Sequence, residues 1–194
     1  MDLQEGAQMM DALAAKIAGM ATPPPGTIEA VLKRGHDIIV ERTTEGLDMN
    51  GSAFPKYSTT RIYIGQDSPY YAIAVSAGGR TVRKSNGAAI LGVVFDGGYA
   101  EFKAKLGHSN VDLFVLGDML AAIDEVADEP DRGRLGIFNQ TQNAKGAAHQ
   151  NGGGVPMRQF WGLGFREGEA EELTEIVRSS YVEYLNESLF SEAT

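Results

Sequence analysis

The chain contains no cysteine. Disulfides, thiolate metal sites and cysteine nucleophiles are therefore excluded, and such a chain fits a reducing compartment. Histidine is scarce as well. His36, His108 and His149 are widely separated, with no HExxH-type pairing to build a metal site. No apolar run approaches the roughly 20 residues that a membrane helix needs. The first stretch, MDLQEGAQMMDALAAKIAGM, opens on acids and lacks the basic region of a signal peptide. A cytoplasmic protein is the expectation. Basic residues are also in short supply. The net charge is −9, and residues 101–194 hold 8 basic against 16 acidic side chains, whereas residues 1–100 are nearly balanced at 9 and 10. Nucleic-acid affinity comes mostly from Lys and Arg on phosphates, and no basic stripe is present. Tight nucleic-acid binding is not expected, and an acidic surface would instead repel DNA.

Catalytic signatures are missing too. There is no GxSxG elbow, no Walker A loop and no GxGxxG after a strand. Lys145 precedes Gly146, the reverse of the order in a phosphate loop. Glu125, Asp128, Glu129 and Asp131 surround Pro130; they read either as a solvated acidic turn or as a pair of carboxylates able to hold a divalent ion. Asp48, Asn50 and Gly51 look superficially like a calcium loop, but position 59 is Thr where the terminal Glu would stand. No catalytic residue, cofactor or metal is assigned on these grounds, and the chain is not read as an enzyme.

What is present is an ordinary globular composition, 43% hydrophobic and 22% charged over 194 residues, enough for one domain with a core and an extension. Residues 2–20 carry a short helical stripe through Met10, Leu13, Ile17 and Met20, closed by Pro23-Pro24-Pro25. Residues 1–26 are thus expected to be a terminal helix and linker, and 27–194 a single α+β domain. Thr27 is expected to cap a helix whose face is Ile28, Val31, Leu32, Gly35, Ile38 and Ile39, stopped near Gly46. Gly35 on that face predicts a closely packed neighbour. The loop Gly46–Ser58 has three apolar anchors, Leu47, Phe54 and Tyr57. Residues 59–96 read as inserted β-structure, with strands at 61–64, 70–75 and 88–95. A short helix follows at 99–105, then a strand ending at Val126. Glu169, Glu171, Glu172 and Glu175 crowd the start of a terminal helix over 168–190.

The most concentrated stretch is Arg132–Phe165. Leu135, Ile137 and Asn139 alternate as in a strand over 133–139. Thr141 or Asn143 can cap a helix through Ala144, Ala147 and His149. Gly152, Gly153 and Gly154 break that helix. The segment Val155-Pro156-Met157-Arg158-Gln159-Phe160-Trp161-Gly162-Leu163-Gly164 then gathers the single Trp with Phe, Met and Arg. Such a mixture marks either a binding surface or the corner of a core.

Three pieces, in order, carry a family likeness. They are the G-L-D-M-N-G-S-A-F-P-K-Y-S loop at 46–58, the Tyr99–Gly107 and Val111–Ile123 stretch, and Ala144-Lys145 through His149-Gln150-Asn151-Gly152 to Pro156-Met157-Arg158-Gln159-Phe160-Trp161-Gly162-Leu163. The sequence resembles the phage virion-morphogenesis, or tail-completion, family, whose members are similar to tail terminators and head–tail joining proteins. The match covers 27–58 and 97–190. Leu116 stands where the family commonly has Thr, Trp161 where it has Leu, and 59–96 has no counterpart. The resemblance implies a mostly antiparallel sheet packed by a long N-terminal helix and a C-terminal helix. It also implies a ring of identical subunits, usually hexameric, at the neck or tail top. The virion would be its location, after assembly in the host cytoplasm, with the tail-tube or head–tail connector protein as partner. DNA would pass through the lumen, and no membrane is involved. Expected contacts with neighbours are Arg158, Phe160, Trp161 and the Gly152–Gly154 hinge, then Leu47, Phe54 and Tyr57; Phe160 and Leu163 would also fix the last helix to the sheet. Two other readings are a generic protein-binding domain and a metal-dependent hydrolase using the Glu125–Asp131 cluster.

Overall fold

The computed structural model describes residues 22–85, 87, 89–108, 110–113, 117–153, 155–161 and 165–190, the last three without their side chains. The expected helix at 2–20, together with Gly154, Leu116 and Leu163, lies outside the described residues. Helix α1 spans Thr27–Thr44. Its cap is Gly26 and not Thr27, which is the first helical residue and is buried with its hydroxyl unpartnered. Gly26 adopts the left-handed region, and its carbonyl accepts from Ala30 at 3.0 Å. The other end follows expectation. Gly46, at φ +83°, lets its own N–H reach the Thr43 carbonyl and the Leu47 N–H reach that of Arg42, a two-bond closure that satisfies the last carbonyls.

The inner face of α1 packs on a hairpin of two later strands and on the terminal helix. In chain order the elements after α1 are β1 (Ile62–Gly65), α2 (Tyr71–Ser76), β2 (Arg80–Arg83), β3 (Ile90–Phe95), α3 (Gly98–Lys105), β4 (Ile123–Glu129), β5 (Arg132–Ile137), α4 (Gln140–Asn151) and α5 (Glu167–Phe190). β4 and β5 are antiparallel, with Ile123 opposite Ile137 and the register shifting between Ala127 and Glu129, beside the acidic turn. Glycines let helix and hairpin approach. A Cβ on Gly35 would lie 3.1 Å from Leu135 Cδ1 and 3.3 Å from the Phe165 ring, which supplies the close neighbour that the sequence predicts. Leu135 and Phe165 also pack on the first core, which is Ile39, Phe54, Met119, Leu120, Ile123 and Phe160, with Trp161 against it as well.

Residues 62–95 build a separate three-stranded antiparallel sheet in the order β1-β3-β2. Two expectations fail here. Tyr70–Val75, read as a strand, forms the helix α2, and β2 falls between the stretches read as strands at 70–75 and 88–95. The apolar run at 70–75 fits either period. The helix wins because it puts Tyr71 and Ala74 on one face, against β3, with Ile73 and Ala77 also packed on the second core. That core is Ala74, Val93, Phe95 and Phe102; each buried Phe contributes roughly 2–3 kcal/mol. The architecture is α+β, with a long early helix and a terminal helix around antiparallel β-structure, divided between two sheets. Among the described residues no helix is long and apolar enough to cross a membrane.

Candidate functional site

A cleft of about 560 Å³ opens where the loop after α1, the insertion and the end of α4 meet. Each wall has a local cause. The loop is folded by Asp48, whose carboxylate Oδ1 accepts from the backbone N–H groups of Asn50 and Ser52, both at 2.8 Å. Its acceptor is thereby occupied by backbone, which accounts for the calcium-like composition. A bridge between Leu47 and Ala53 closes the loop. Phe54 then drops into the first core, and Tyr57 turns into the cleft.

Tyr57 is held edge-on to Tyr99 of α3, with ring centroids 5.0 Å apart. Its hydroxyl donates to the Asp112 carbonyl and lies 3.2 Å from the Asp112 carboxylate. Burial first, and the Asp112 charge second, push the Tyr57 phenol well above its ordinary range, while burial pushes Tyr99 up to about 12. Both are neutral donors at any physiological pH. Asp112 is the hub of this wall. It takes Lys103 Nζ at 2.5 Å on one oxygen and His108 Nδ1 at 2.5 Å on the other. Lys103 is fully buried. Burial pulls its ammonium below the ordinary lysine value, and Asp112 opposes that shift.

The opposite wall is α4 and the chain that leaves it. Asn139 caps α4 by accepting from the Gln142 N–H; the expected caps, Thr141 and Asn143, are already inside the helix. Gly152 ends it in the left-handed region, and Gly153 donates to the Ala148 carbonyl at 2.8 Å. The glycines therefore form a hydrogen-bonded helix end. Arg158 N–H donates to the His149 carbonyl at 2.7 Å, which folds the 155–161 segment back along α4. Gln150 reinforces this. Its amide donates to the Trp161 carbonyl and accepts from the Trp161 N–H, so one side chain performs both bonds of a strand pair.

The 155–161 segment has two sides. Met157 is exposed and Val155 lines the cleft beside Arg158, whereas Arg158 (3% exposed) and Phe160 (2%) are themselves buried. Among the residues expected at a partner surface, Arg158 and Tyr57 meet in the cleft, the guanidinium lying 5.1 Å from the Tyr57 ring. Phe54 and Phe160 meet in the first core, where their aromatic surface packs within this chain; Trp161 is half-buried, edge-on to Phe160 at 6.4 Å. Leu47 is half-buried, and Gly152 and Gly153 are exposed.

Sequence reasoning missed Arg42. It is buried on α1, donates to Glu169 at 3.0 Å and to the Phe160 carbonyl at 3.0 Å. It thereby ties the aromatic segment to the first turn of α5. Burial alone would raise the Glu169 carboxyl, but the hydrogen bonds from Arg166 and the Arg42 charge outweigh it and hold it below the usual range. An arginine in a polar helix end gives little sign of burial; its only signal was the acidic start of α5. The acidic cluster, for its part, is partly engaged within the fold. Asp128 holds Arg134 in two bonds of 2.6 and 2.8 Å, and Glu125 lies 3.0 Å from His36. No group of three His, Asp or Glu side chains is placed to share a metal ion among the described residues. In comparisons with known proteins, no family model, no curated protein and no solved structure matches the chain.

Proposed function

We propose that this chain is a structural phage virion protein that completes the tail, or joins it to the head, by forming a ring at the neck. The observation that carries this reading is the convergence of the three family-like segments, distant in sequence, on one packing unit. Met49 N–H donates to the Gln159 carbonyl at 2.8 Å, Arg158 reaches the Pro55 carbonyl at 3.2 Å, and Tyr57 bonds Asp112. A shared motif order has physical meaning when its members support one another in this way.

Ring assembly needs two different, complementary faces on each subunit. β1 and β2 are the edges of their sheet, and unpaired edges can accept a neighbour's strand. Met157, exposed next to the buried Arg158, and Phe138 near the start of α4 add exposed apolar surface. The acidic balance of the second half suits a lumen through which DNA slides without sticking. The test is the mass of the full chain by light scattering and native mass spectrometry, alone and mixed with its phage's tail-tube and connector proteins. A closed ring, hexameric by the resemblance, is expected in at least one mixture. A chain that stays monomeric with both partners sinks the proposal, and so would Lys and Arg lining the lumen of an assembled ring.

A further inference from the structure

Three cationic side chains are buried among the described residues: Arg42, Lys103 and Arg158. Two have their anion, since Arg42 pairs with Glu169 at 3.0 Å and Lys103 with Asp112 at 2.5 Å. Arg158 has none. Its Nη2 donates to the Pro55 carbonyl at 3.2 Å and its Nη1 reaches Pro156 at 3.5 Å, while Nε is buried without a partner. A buried charge without a counter-charge is unfavourable, and here it borders the cleft. His149, on the same wall, also presents a buried Nδ1 without a partner.

We propose that the cleft is a binding site for a carboxylate carried on an apolar body, with Arg158 as the counter-charge. A planar carboxylate matches the guanidinium fork, and Arg158 lies on the cleft lining. Lys145, on the same lining, adds a second positive charge. Tyr57, Tyr99 and Met119 supply the apolar wall against which the body lies. The charge balance selects a monoanion over phosphate. Asp118 is exposed on the lining, and Asp112, though taken by Lys103 and His108, adds to the negative field. The volume is large enough for a small organic acid or for the last residues of a peptide. The carboxylate can belong to a free acid or to the last residue of a peptide. The site rests on the cleft alone and stands whether or not the chain forms rings.

The test is an NMR titration of the isotope-labelled full chain with 3-phenylpropanoate, its neutral amide, and acetyl-Ala-Ala-Phe as free acid and as amide. Each acid that fits should bind at least about tenfold more tightly than its amide, the factor that a charge-assisted hydrogen bond confers. The shifts should centre on Tyr57, His149 and Arg158. Arg158→Gln should abolish the preference for the acid, and Lys145→Gln should weaken it several-fold. Tighter binding of the peptide acid identifies a chain end as the occupant; binding of phenylpropanoate alone identifies a free acid. If Arg158→Gln does not fold, the acid-against-amide comparison on the unaltered chain still decides. Equal binding of acid and amide, or no binding of either acid at millimolar concentration, overturns the proposal.

Discussion

His149 carries a consequence for stability against pH. Its Nδ1 is buried without a partner, and burial, followed by the nearby Arg158 charge, holds its pKa below the ordinary histidine value. The unfolded chain therefore binds a proton before the folded chain does. Stability contributed by the neutral ring is complete above about pH 6.5 and declines as pH falls below it. The unfolding free energy should drop on acidification from neutral pH, by at most about 1.4 kcal/mol per pH unit from this group. His149→Gln should flatten that part of the curve in urea denaturation followed across pH; an unchanged slope would show that His149 titrates freely when folded. Glu169 acts in a separate, more acid window. Its carboxyl is depressed, so its contribution is present above the ordinary carboxylate pKa and is lost only as pH falls through the lower folded value. Neither effect is visible in the sequence, because a histidine near the end of a polar helix and a glutamate in an acidic first turn both read as solvated.

Among elements, the central strand β3 is the least tolerant. A Cβ on Gly92 would stand 2.4 Å from the Ile64 carbonyl oxygen and 2.7 Å from the Tyr63 ring. The carbonyl belongs to the neighbouring strand and cannot step aside without breaking the ladder that pairs Gly65 with Gly92. Gly92→Ala should destabilise the fold by about 3 kcal/mol, the upper range for overpacking a filled space. Thermal unfolding by circular dichroism would reveal it, and a loss within error would mean the sheet can part there. Elements were legible in proportion to their amphipathic contrast. α1, α5 and the strand Ala88–Phe95 each show one clear period or one long apolar run, and the structure has all three within a few residues. Tyr70–Val75 does not, since a run of six apolar residues satisfies both periods and the neighbouring β3 surface decides. β2 is an edge strand with one inward side chain, Val82, so its sequence lacks the apolar alternation that reveals a strand. The Arg158 cleft was legible in part: its aromatic and basic residues stand out, but only the fold shows that the arginine turns inward and the neighbouring Met157 outward.

Across the whole molecule, one ion pair spans two cores. Lys103 rises from α3, beside Phe102 of the second core, and its partner Asp112 lies between Val111 and Leu113, which pack on the first. Removing the carboxylate takes away the counter-charge that the buried ammonium has in this pair, at about 3–5 kcal/mol, and loosens the tie between the cores. Trp161, the single tryptophan, packs on the first core alone. In the unaltered chain, tryptophan fluorescence and far-ultraviolet circular dichroism should report one coincident unfolding transition. In Asp112→Ala the two should separate, with fluorescence following only the first core. Coincident transitions in the variant would show that the cores are joined by other contacts.

The Gln150 clasp on Trp161 bears on how this chain can be read at all. A pairing that a strand would encode over several residues is here encoded in one letter. Pattern and periodicity cannot see it, because a glutamine late in a polar helix looks like any solvated side chain. Yet the specification is strict. The amide must offer a hydrogen to one backbone atom and a lone pair to the next, and an ionised carboxylate of identical shape can meet only the second demand. Position 150 thus holds more structural information than its hydropathy suggests, and a comparison that treats glutamine and glutamate as near equivalents would discard it.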